Sequence, residues 1–332
     1  MQAGRERMGT ELMNHILSLL PPVARLIKEK AALEKRVAAL EPLQQAAPPA
    51  PQTWAPPGHF YSPIVDPADE HARRAMASEE APIVTPESMG LDSSLMREWF
   101  RRIALHYPTH RFPETPSLVA GAGHYFYQNP NFPLADALAL LAVMVTCKPR
   151  RLIEVGSGYS SCAAIDITDG YLQGRVEMTF IEPHPELALE MVGSTARFRE
   201  GLLKQKLQDV PVETFLALER GDILFIDSSH VVKTGSDVVD YVFRILPRLQ
   251  AGVLVHIHDI FYPFEYPRAW IADENRSWNE AYLLRAFLHK NRRFQVFYMS
   301  DWIYKCEREL MQQLTPLCVT HRGGSLWMEV VD

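Results

Sequence analysis

From residue 132 onward, the hydrophobic pattern alternates between helical and strand-like periods. Four short segments, 151–155, 176–181, 222–226 and 252–257, are almost continuously apolar, which is typical of strands buried on both faces. Helical patterns separate them, including one at 236–249 before the last of these strands, so the sequence predicts a parallel sheet covered by helices on both sides. The periodicity predicts two more strands near the end of the chain, at 294–299 and 325–331.

The first 132 residues follow a different pattern. Apolar residues recur at alternating spacings of four and three between Leu12 and Leu40, and this predicts helices within 1–41 that either self-associate as a coiled coil or pack on their own domain. Residues 42–57 are rich in proline and alanine and predict a semi-rigid linker. Residues 58–132 are irregular and aromatic, with a helix expected at 93–106, and we interpret them as a cap over a site. Residues 133–332 form the predicted main domain.

Charge and cysteine content restrict the function further. The net charge of -6 disfavours a nucleic-acid partner, because phosphate neutralisation needs a clustered excess of lysine and arginine. The four cysteines lack the spacing of a zinc knuckle or a disulfide framework, which favours a reduced cytoplasmic location. The sequence contains neither a signal-peptide pattern nor a run of about 18 apolar residues. We expect a cytoplasmic protein that acts on a small molecule and has no membrane partner.

The run RLIEVGSGYSSCAA predicts a strand, a glycine turn and a helix in succession. Gly156 and Gly158 let backbone N–H groups approach a ligand at the start of the helix. Ser161 stands where a nicotinamide fingerprint has a third glycine or alanine, which disfavours a reductase. Glu154 suits a cationic or hydroxylated ligand. Glu182 ends the next strand, where an acidic residue binds ribose hydroxyls.

Longer motifs point to a family. EVGSGYSS followed by FIEP resembles motifs I and II of the class I S-adenosylmethionine-dependent methyltransferases. The runs IDSSHVVKTGSDV, HDIFYPFEYP and WNEAYLLRAFL resemble a largely uncharacterised bacterial family with a methyltransferase-like domain. The resemblance spans about 58–330. It implies a Rossmann-like sheet of seven strands in the order 3-2-1-4-5-7-6, with helices on both faces and the last strand antiparallel.

The same resemblance implies S-adenosylmethionine (SAM) as the cofactor. The methionine end of SAM is expected at the glycine turn, its ribose at Glu182, and its adenine edge at Asp209, which follows a weakly patterned strand predicted at 202–207. The cofactor residues implied in this way are Glu154, Gly156, Ser157, Gly158, Glu182, Asp209 and Asp227.

A second set of polar residues follows the two later strands. DILFIDSSH places Asp227 at the end of one strand with His230 just beyond it, and HIHDIFYP places His258 and Asp259 at the end of the next. Adjacent parallel strands lie about 5 Å apart, so these four side chains are expected to converge. His256, two residues earlier on the same face, is interpreted as a core histidine.

Three roles remain open for these four residues. A histidine can act as general base with a carboxylate that orients it, the four side chains can hold a divalent metal, or they can serve only as structural hydrogen-bonding groups. Catechol-type methyltransferases have carboxylates at the same strand ends, but His258 and Asp259 stand where those enzymes have an aspartate and an asparagine. A site that contains histidine suits manganese, iron or zinc better than magnesium.

The loop after Asp259 is long and aromatic. We interpret it as a wall of the acceptor pocket, because aromatic faces pack on sugar rings and other flat groups. The alternative is a hydrophobic cover over the sheet edge. The candidate substrate-binding residues are Tyr262, Glu265, Tyr266, Trp278 and Asn279.

Together these patterns predict an enzyme that transfers a methyl group from SAM to an oxygen of a small, sugar-like or otherwise hydroxylated metabolite. Two alternatives remain: a metal-dependent enzyme that uses the same fold without methylation, and a scaffold protein without catalysis. The N-terminal helices make a homo-oligomer a further expectation.

Overall fold

The computed structural model describes residues 54–80, 84–116, 124–192 and 195–331, together with residues 30, 31 and 35. The chain divides into two compact units, Met1–Pro56 and Pro57–Asp332. Apart from residues 30, 31 and 35, which are helical, the predicted N-terminal helices lie outside the described residues, as does most of the predicted linker. They therefore stay predictions, as does the oligomer that depends on them.

A seven-stranded sheet in the order β3-β2-β1-β4-β5-β7-β6 forms the centre of the second unit. β7 is antiparallel to both of its neighbours, and strands β1 to β5 pair in parallel. The predicted fold and strand order are confirmed. The strands are β1 Arg151–Val155, β2 Glu177–Ile181, β3 Leu202–Leu203, β4 Ile223–Ile226, β5 Leu254–Ile257, β6 Phe294–Met299 and β7 Leu326–Val330.

Helices cover the sheet and connect its strands. The central strands β4 and β5 are buried along their whole length, as their continuous apolar runs predict. The α-helices are α1 Glu70–Glu80, α2 Ser93–Ala104, α3 Leu134–Cys147, α4 Tyr159–Tyr171, α5 Glu186–Val192, α6 Ala196–Gly201, α7 Val212–Leu216, α8 Asp237–Asp240, α9 Arg268–Ala272, α10 Glu280–Leu288, α11 Ser300–Cys306, α12 Arg308–Leu314 and α13 Leu317–Thr320.

Two predicted elements are wrong in part. The strand predicted at 202–207 is only two residues long and gives way to a 3-10 helix at Leu207–Asp209. Among the described residues β3 pairs with β2 alone, and its polar continuation buries little apolar area. The helix predicted at 236–249 is split into α8, a π-helical turn and a 3-10 turn. Pro247 lies in the last of these turns and has no N–H group to continue an α-helix.

Part of the predicted cap packs on the sheet edge. The helix predicted at 93–106 is α2, which begins after Asp92, whose carboxylate accepts hydrogen bonds from the N–H groups of Ser94 and Leu95. Trp99 in α2 lies 4.4 Å from Phe297 in β6, measured between ring centroids. α2 is therefore part of the core, and α1 is the helix that lies beside a cavity, as described below.

The turn after β1 is held against the end of β4. Gly156 has φ of +81°, and a Cβ atom at this position would lie 1.9 Å from the carbonyl oxygen of Asp227. The N–H of Asp227 in turn donates to the carbonyl of Val155, at 2.8 Å. Only glycine allows this approach, because any side chain would collide with backbone atoms.

We predict that Gly156→Ala destabilises the protein by about 2 kcal/mol or more, because it combines a backbone clash with an unfavourable φ. Gly158→Ala is the matched control, since a Cβ at Gly158 meets no atom within 4 Å. Urea denaturation of the two variants measures the difference. Equal stability of both variants would contradict the close approach.

Candidate active site

Two aspartates and two histidines converge at the carboxyl ends of β4 and β5. Nε2 of His230 lies 3.3 Å from Oδ1 of Asp227 and 3.7 Å from Oδ2 of Asp259. Nε2 of His258 lies 3.6 Å from Oδ1 of Asp259 and 3.2 Å from the carbonyl oxygen of Asn131. We call Asp227, His230, His258 and Asp259 the cluster. The structure brings the four predicted residues together, and their catalytic role stays a prediction.

Two members of the cluster have unusual backbone conformations. His230 has φ of +59° and Asp259 has φ of +57°, a left-handed region that residues other than glycine seldom adopt. The carbonyl oxygen of His230 accepts hydrogen bonds from the N–H groups of Asn279 and Glu280, which hold it in place. Such strain concentrates at functional sites, so it supports a role for these positions.

Glu280 is the residue that the sequence analysis missed. Its carboxylate is fully buried and accepts hydrogen bonds from the hydroxyls of Ser228 and Tyr241, both at 2.7 Å, and from Nδ1 of His230 at 2.8 Å. Glu280 therefore fixes both the ring orientation of His230 and the position of its proton. The only signal in the sequence was an acidic residue at the start of α10, which is also typical of ordinary helix N-termini.

The carboxylates keep both histidines of the cluster protonated. Burial lowers the pKa of His230, but its hydrogen bonds to Asp227 and Glu280 outweigh that effect and hold the pKa well above its usual value. Burial likewise lowers the pKa of His258, and the charges of Asp259, Asp227 and Asp136 raise it to about 9. Near neutral pH both imidazoles are therefore cations. The expectation that one of them is the general base does not suit this arrangement.

The two aspartates differ from each other. Burial raises the pKa of Asp259 to about 6, although the charges of His258 and His230 oppose the rise. Burial also acts on Asp227, but the charge of His258 and the hydrogen bond from His230 hold its pKa below the usual value. Of the two aspartates, Asp259 thus has the pKa closer to neutrality.

His256 lies below the cluster in the core. Its Nε2 is 3.0 Å from Oγ of Ser325, and its ring stacks on Phe225 with a centroid distance of 3.8 Å. Burial lowers the pKa of His256 well below its usual value, so the ring is neutral. This agrees with the interpretation of His256 as a core histidine.

Two cavities meet at Asp227. The turn cavity, of about 420 Å³, lies beside the glycine turn and includes Gly156, Glu182 and Gln208 in its lining. The cluster cavity, of about 660 Å³, is lined by the cluster together with Asn131, Trp270, Arg276 and Trp278. Asp227, Ser228 and Ser229 line both cavities.

The predicted cofactor residues lie at different places around the turn cavity. The carboxylate of Glu182 accepts hydrogen bonds from the N–H groups of Ser157, at 3.2 Å, and His184, at 2.7 Å, so it shapes the turn as well as lining the cavity. Asp209 is exposed and does not line the cavity, whereas its neighbour Gln208 does. The structure therefore does not bring Asp209 to the site, because the 3-10 helix turns its side chain away.

Glu154 lies beneath the glycine turn and not in the lining of the cavity. Its two carboxylate oxygens accept hydrogen bonds from the hydroxyls of Ser160 and Ser161, at 2.5 and 2.6 Å. Burial raises the pKa of Glu154 to about 8 despite these two donors. Glu154 thereby ties the end of β1 to the start of α4, and direct contact with a ligand stays a prediction.

Of the five predicted substrate residues, only Trp278 lines the cluster cavity. Tyr262 and Tyr266 are buried, and their hydroxyls bond to the carbonyl of Val84 and the N–H of Ala281, respectively. Glu265 and Asn279 line a separate groove on the other side of Trp278. The aromatic loop is therefore mostly a hydrophobic cover, and its pocket-facing aromatics are Trp270 and Trp278.

Comparison with known proteins assigns the domain. Residues 153–260 match a protein family model described as a methyltransferase domain. An uncharacterised protein of Archaeoglobus fulgidus is 32% identical over 170 residues, which cover 51% of this chain and 75% of the archaeal protein. The chain belongs to the family of this archaeal protein. It carries a methyltransferase domain, whereas membership of a specifically bacterial family stays a prediction.

Solved structures of methyltransferases are similar to this chain at low sequence identity. The SAH-bound methyltransferase PaMTH1 of Podospora anserina is 16% identical, covers 81% of this chain and 99% of its own, and has a TM-score of 0.37. The O-methyltransferase TomG of Streptomyces achromogenes, in complex with SAM, is 14% identical, covers 80% of this chain and 100% of its own, and has a TM-score of 0.36.

Among the described residues, none of the helices has the length and apolar character needed to cross a membrane.

We predict that Glu280→Gln lowers the pKa of His230, because the variant removes the negative charge that stabilises the imidazolium. Tyr241→Phe is the matched control, since it removes one donor to Glu280 and keeps the carboxylate. Titration of the histidine side chains by NMR measures the pKa in each variant. A pKa of His230 that stays unchanged in Glu280→Gln would contradict the role assigned to Glu280.

Proposed function

We propose that the protein transfers a methyl group from SAM to a hydroxyl group of a small acceptor, of a sugar-like or other hydroxylated class. The observation that carries the proposal is the junction of the two cavities at Asp227. A donor in the turn cavity and an acceptor in the cluster cavity would meet at that residue. The methyltransferase domain assigned to residues 153–260 supports this use of the two cavities.

The turn cavity suits SAM. Gly156 leaves the approach to the turn free of a side chain, and Glu182 lines the cavity. In related folds an acidic residue at the end of the second strand binds the ribose hydroxyls of the ligand. When bound, SAM supplies a methyl group on a positively charged sulfur, which is already activated for transfer. The residues of the turn therefore need only to bind and orient it.

The cluster residues activate the hydroxyl group of the acceptor. Asp259, with a pKa of about 6, is ionised at neutral pH and takes the proton that the acceptor hydroxyl loses as its oxygen attacks the methyl carbon. The protonated His230 and His258 stabilise the developing negative charge on that oxygen. Glu280 keeps His230 in position through the hydrogen bond to Nδ1.

A divalent metal is the alternative means of activating the hydroxyl. Asp227, His230 and Asp259 offer ligand atoms that all lie within 4.8 Å of one another. Glu280 binds Nδ1 of His230 and leaves Nε2 directed at the two aspartates, as in sites where a carboxylate orients a metal-bound histidine. The residues therefore fit a metal, which would displace the proton from Nε2 of His230 and lower the pKa of a bound hydroxyl. His258, the fourth predicted ligand, lies outside this group.

We predict that the protein binds S-adenosylhomocysteine with micromolar affinity in a calorimetric titration. Glu182→Gln is expected to weaken binding about tenfold or more, because a charged hydrogen-bonding group is worth about 1.5 to 3 kcal/mol. Asp259→Asn is the matched control: it leaves this affinity nearly unchanged and suppresses methylation in an acceptor screen.

The titration and the screen are repeated after treatment with a chelator. Activity that survives chelation supports Asp259 as the proton acceptor, and activity restored only by manganese, iron, zinc or magnesium supports the metal. If S-adenosylhomocysteine does not bind to the unmodified protein, the proposed function is wrong.

A further inference from the structure

A third cavity lies on the other side of Trp278. It has a volume of about 400 Å³ and runs between α1 and the segment 265–282. We call it the α1 groove. A cavity of this size and largely apolar lining suits an alkyl or other apolar group. Its apolar lining includes Pro63, Val65, Ala72, Ala75, Met76 and Ile271.

The α1 groove and the cluster cavity share a wall. Arg276 and Trp278 line both cavities. The guanidinium carbon of Arg276 lies 4.7 Å from the ring centroid of Trp278 and 4.3 Å from that of Trp270, and Trp278 lies 4.2 Å from His230 between ring centroids. Two side chains therefore separate the cluster from the groove.

We propose that the acceptor is amphipathic, with a hydroxylated head in the cluster cavity, an apolar tail in the α1 groove, and a linkage that passes over the side chain of Arg276, which is 34% exposed. This inference rests on the proposed function, because it takes the cluster cavity as the place of the reacting hydroxyl. The groove lies directly beside that cavity, so the tail fixes the head against Asp259. The polar residues Asp69, His71, Glu265, Asn279 and Tyr282 also line the groove.

The test uses methyl, butyl, hexyl and octyl β-D-glucoside as probes, each below its micelle-forming concentration. Each is titrated by calorimetry into the full-length protein saturated with S-adenosylhomocysteine. We expect affinity to rise about fourfold for each added methylene group that enters the groove. Probes of equal affinity along the whole series would overturn the inference.

Substitutions on α1 test whether the dependence of affinity on chain length arises in the α1 groove. Ala72→Trp fills the groove and is expected to abolish the dependence on chain length while leaving the affinity for methyl glucoside unchanged. Ala77→Trp is the matched control, because Ala77 is exposed on the same helix and does not line the groove. If Ala72→Trp retains the full chain-length dependence, the tail binds elsewhere and the inference is wrong.

A second variant and a second titration distinguish the possible outcomes. Val65→Phe, on the segment before α1, is a second filling variant in case Ala72→Trp lowers the melting temperature. Titration with S-adenosylhomocysteine alone separates the two proposals. Loss of the chain-length effect with normal S-adenosylhomocysteine binding overturns only the amphipathic acceptor, and absence of S-adenosylhomocysteine binding in the unmodified protein overturns the proposed function.

Discussion

The contact between the turn after β1 and the end of β4 is the constraint on which the site depends. The carbonyl oxygen of Asp227 occupies the space that a side chain at Gly156 would need, so the two strand ends lie as close as backbone atoms allow. The side chain of Asp227 then lies between the turn cavity and the cluster cavity and lines both. A wider turn would separate the two cavities and with them the proposed donor and acceptor.

A network of buried charges surrounds this contact. The carboxylate of Glu280 accepts a hydrogen bond from Nδ1 of His230. Asp136 is a second buried carboxylate, and its charge acts on His258. The buried carboxylate of Asp136 accepts hydrogen bonds from the N–H groups of Gly324, at 3.1 Å, and Ser325, at 3.0 Å, and its charge contributes to the raised pKa of His258. Buried ion pairs of this kind contribute little net stability but make the loss of one partner costly. Their concentration at one edge of the sheet is therefore better explained by function than by stability.

The sequence was sufficient to predict the sheet and part of the site. Continuous apolar runs predicted the buried strands, and the rule that parallel strands end at one edge predicted that Asp227 and Asp259 would meet. Local patterns did not identify Glu280, because it reaches His230 from a helix fifty residues later in the chain. Nor did they show which aromatic residues of the loop face a cavity. Tyr262 and Trp278 are both aromatic residues of this loop, but Tyr262 is buried in the core and Trp278 lines the cluster cavity.

The most direct test of the account is a crystal structure of the protein with S-adenosylhomocysteine bound. The account predicts that the ligand occupies the turn cavity, with its ribose hydroxyls about 3 Å from the carboxylate of Glu182 and its sulfur beside Asp227, facing the cluster cavity. Binding of the ligand outside the turn cavity, or with its sulfur directed away from the cluster, would contradict it.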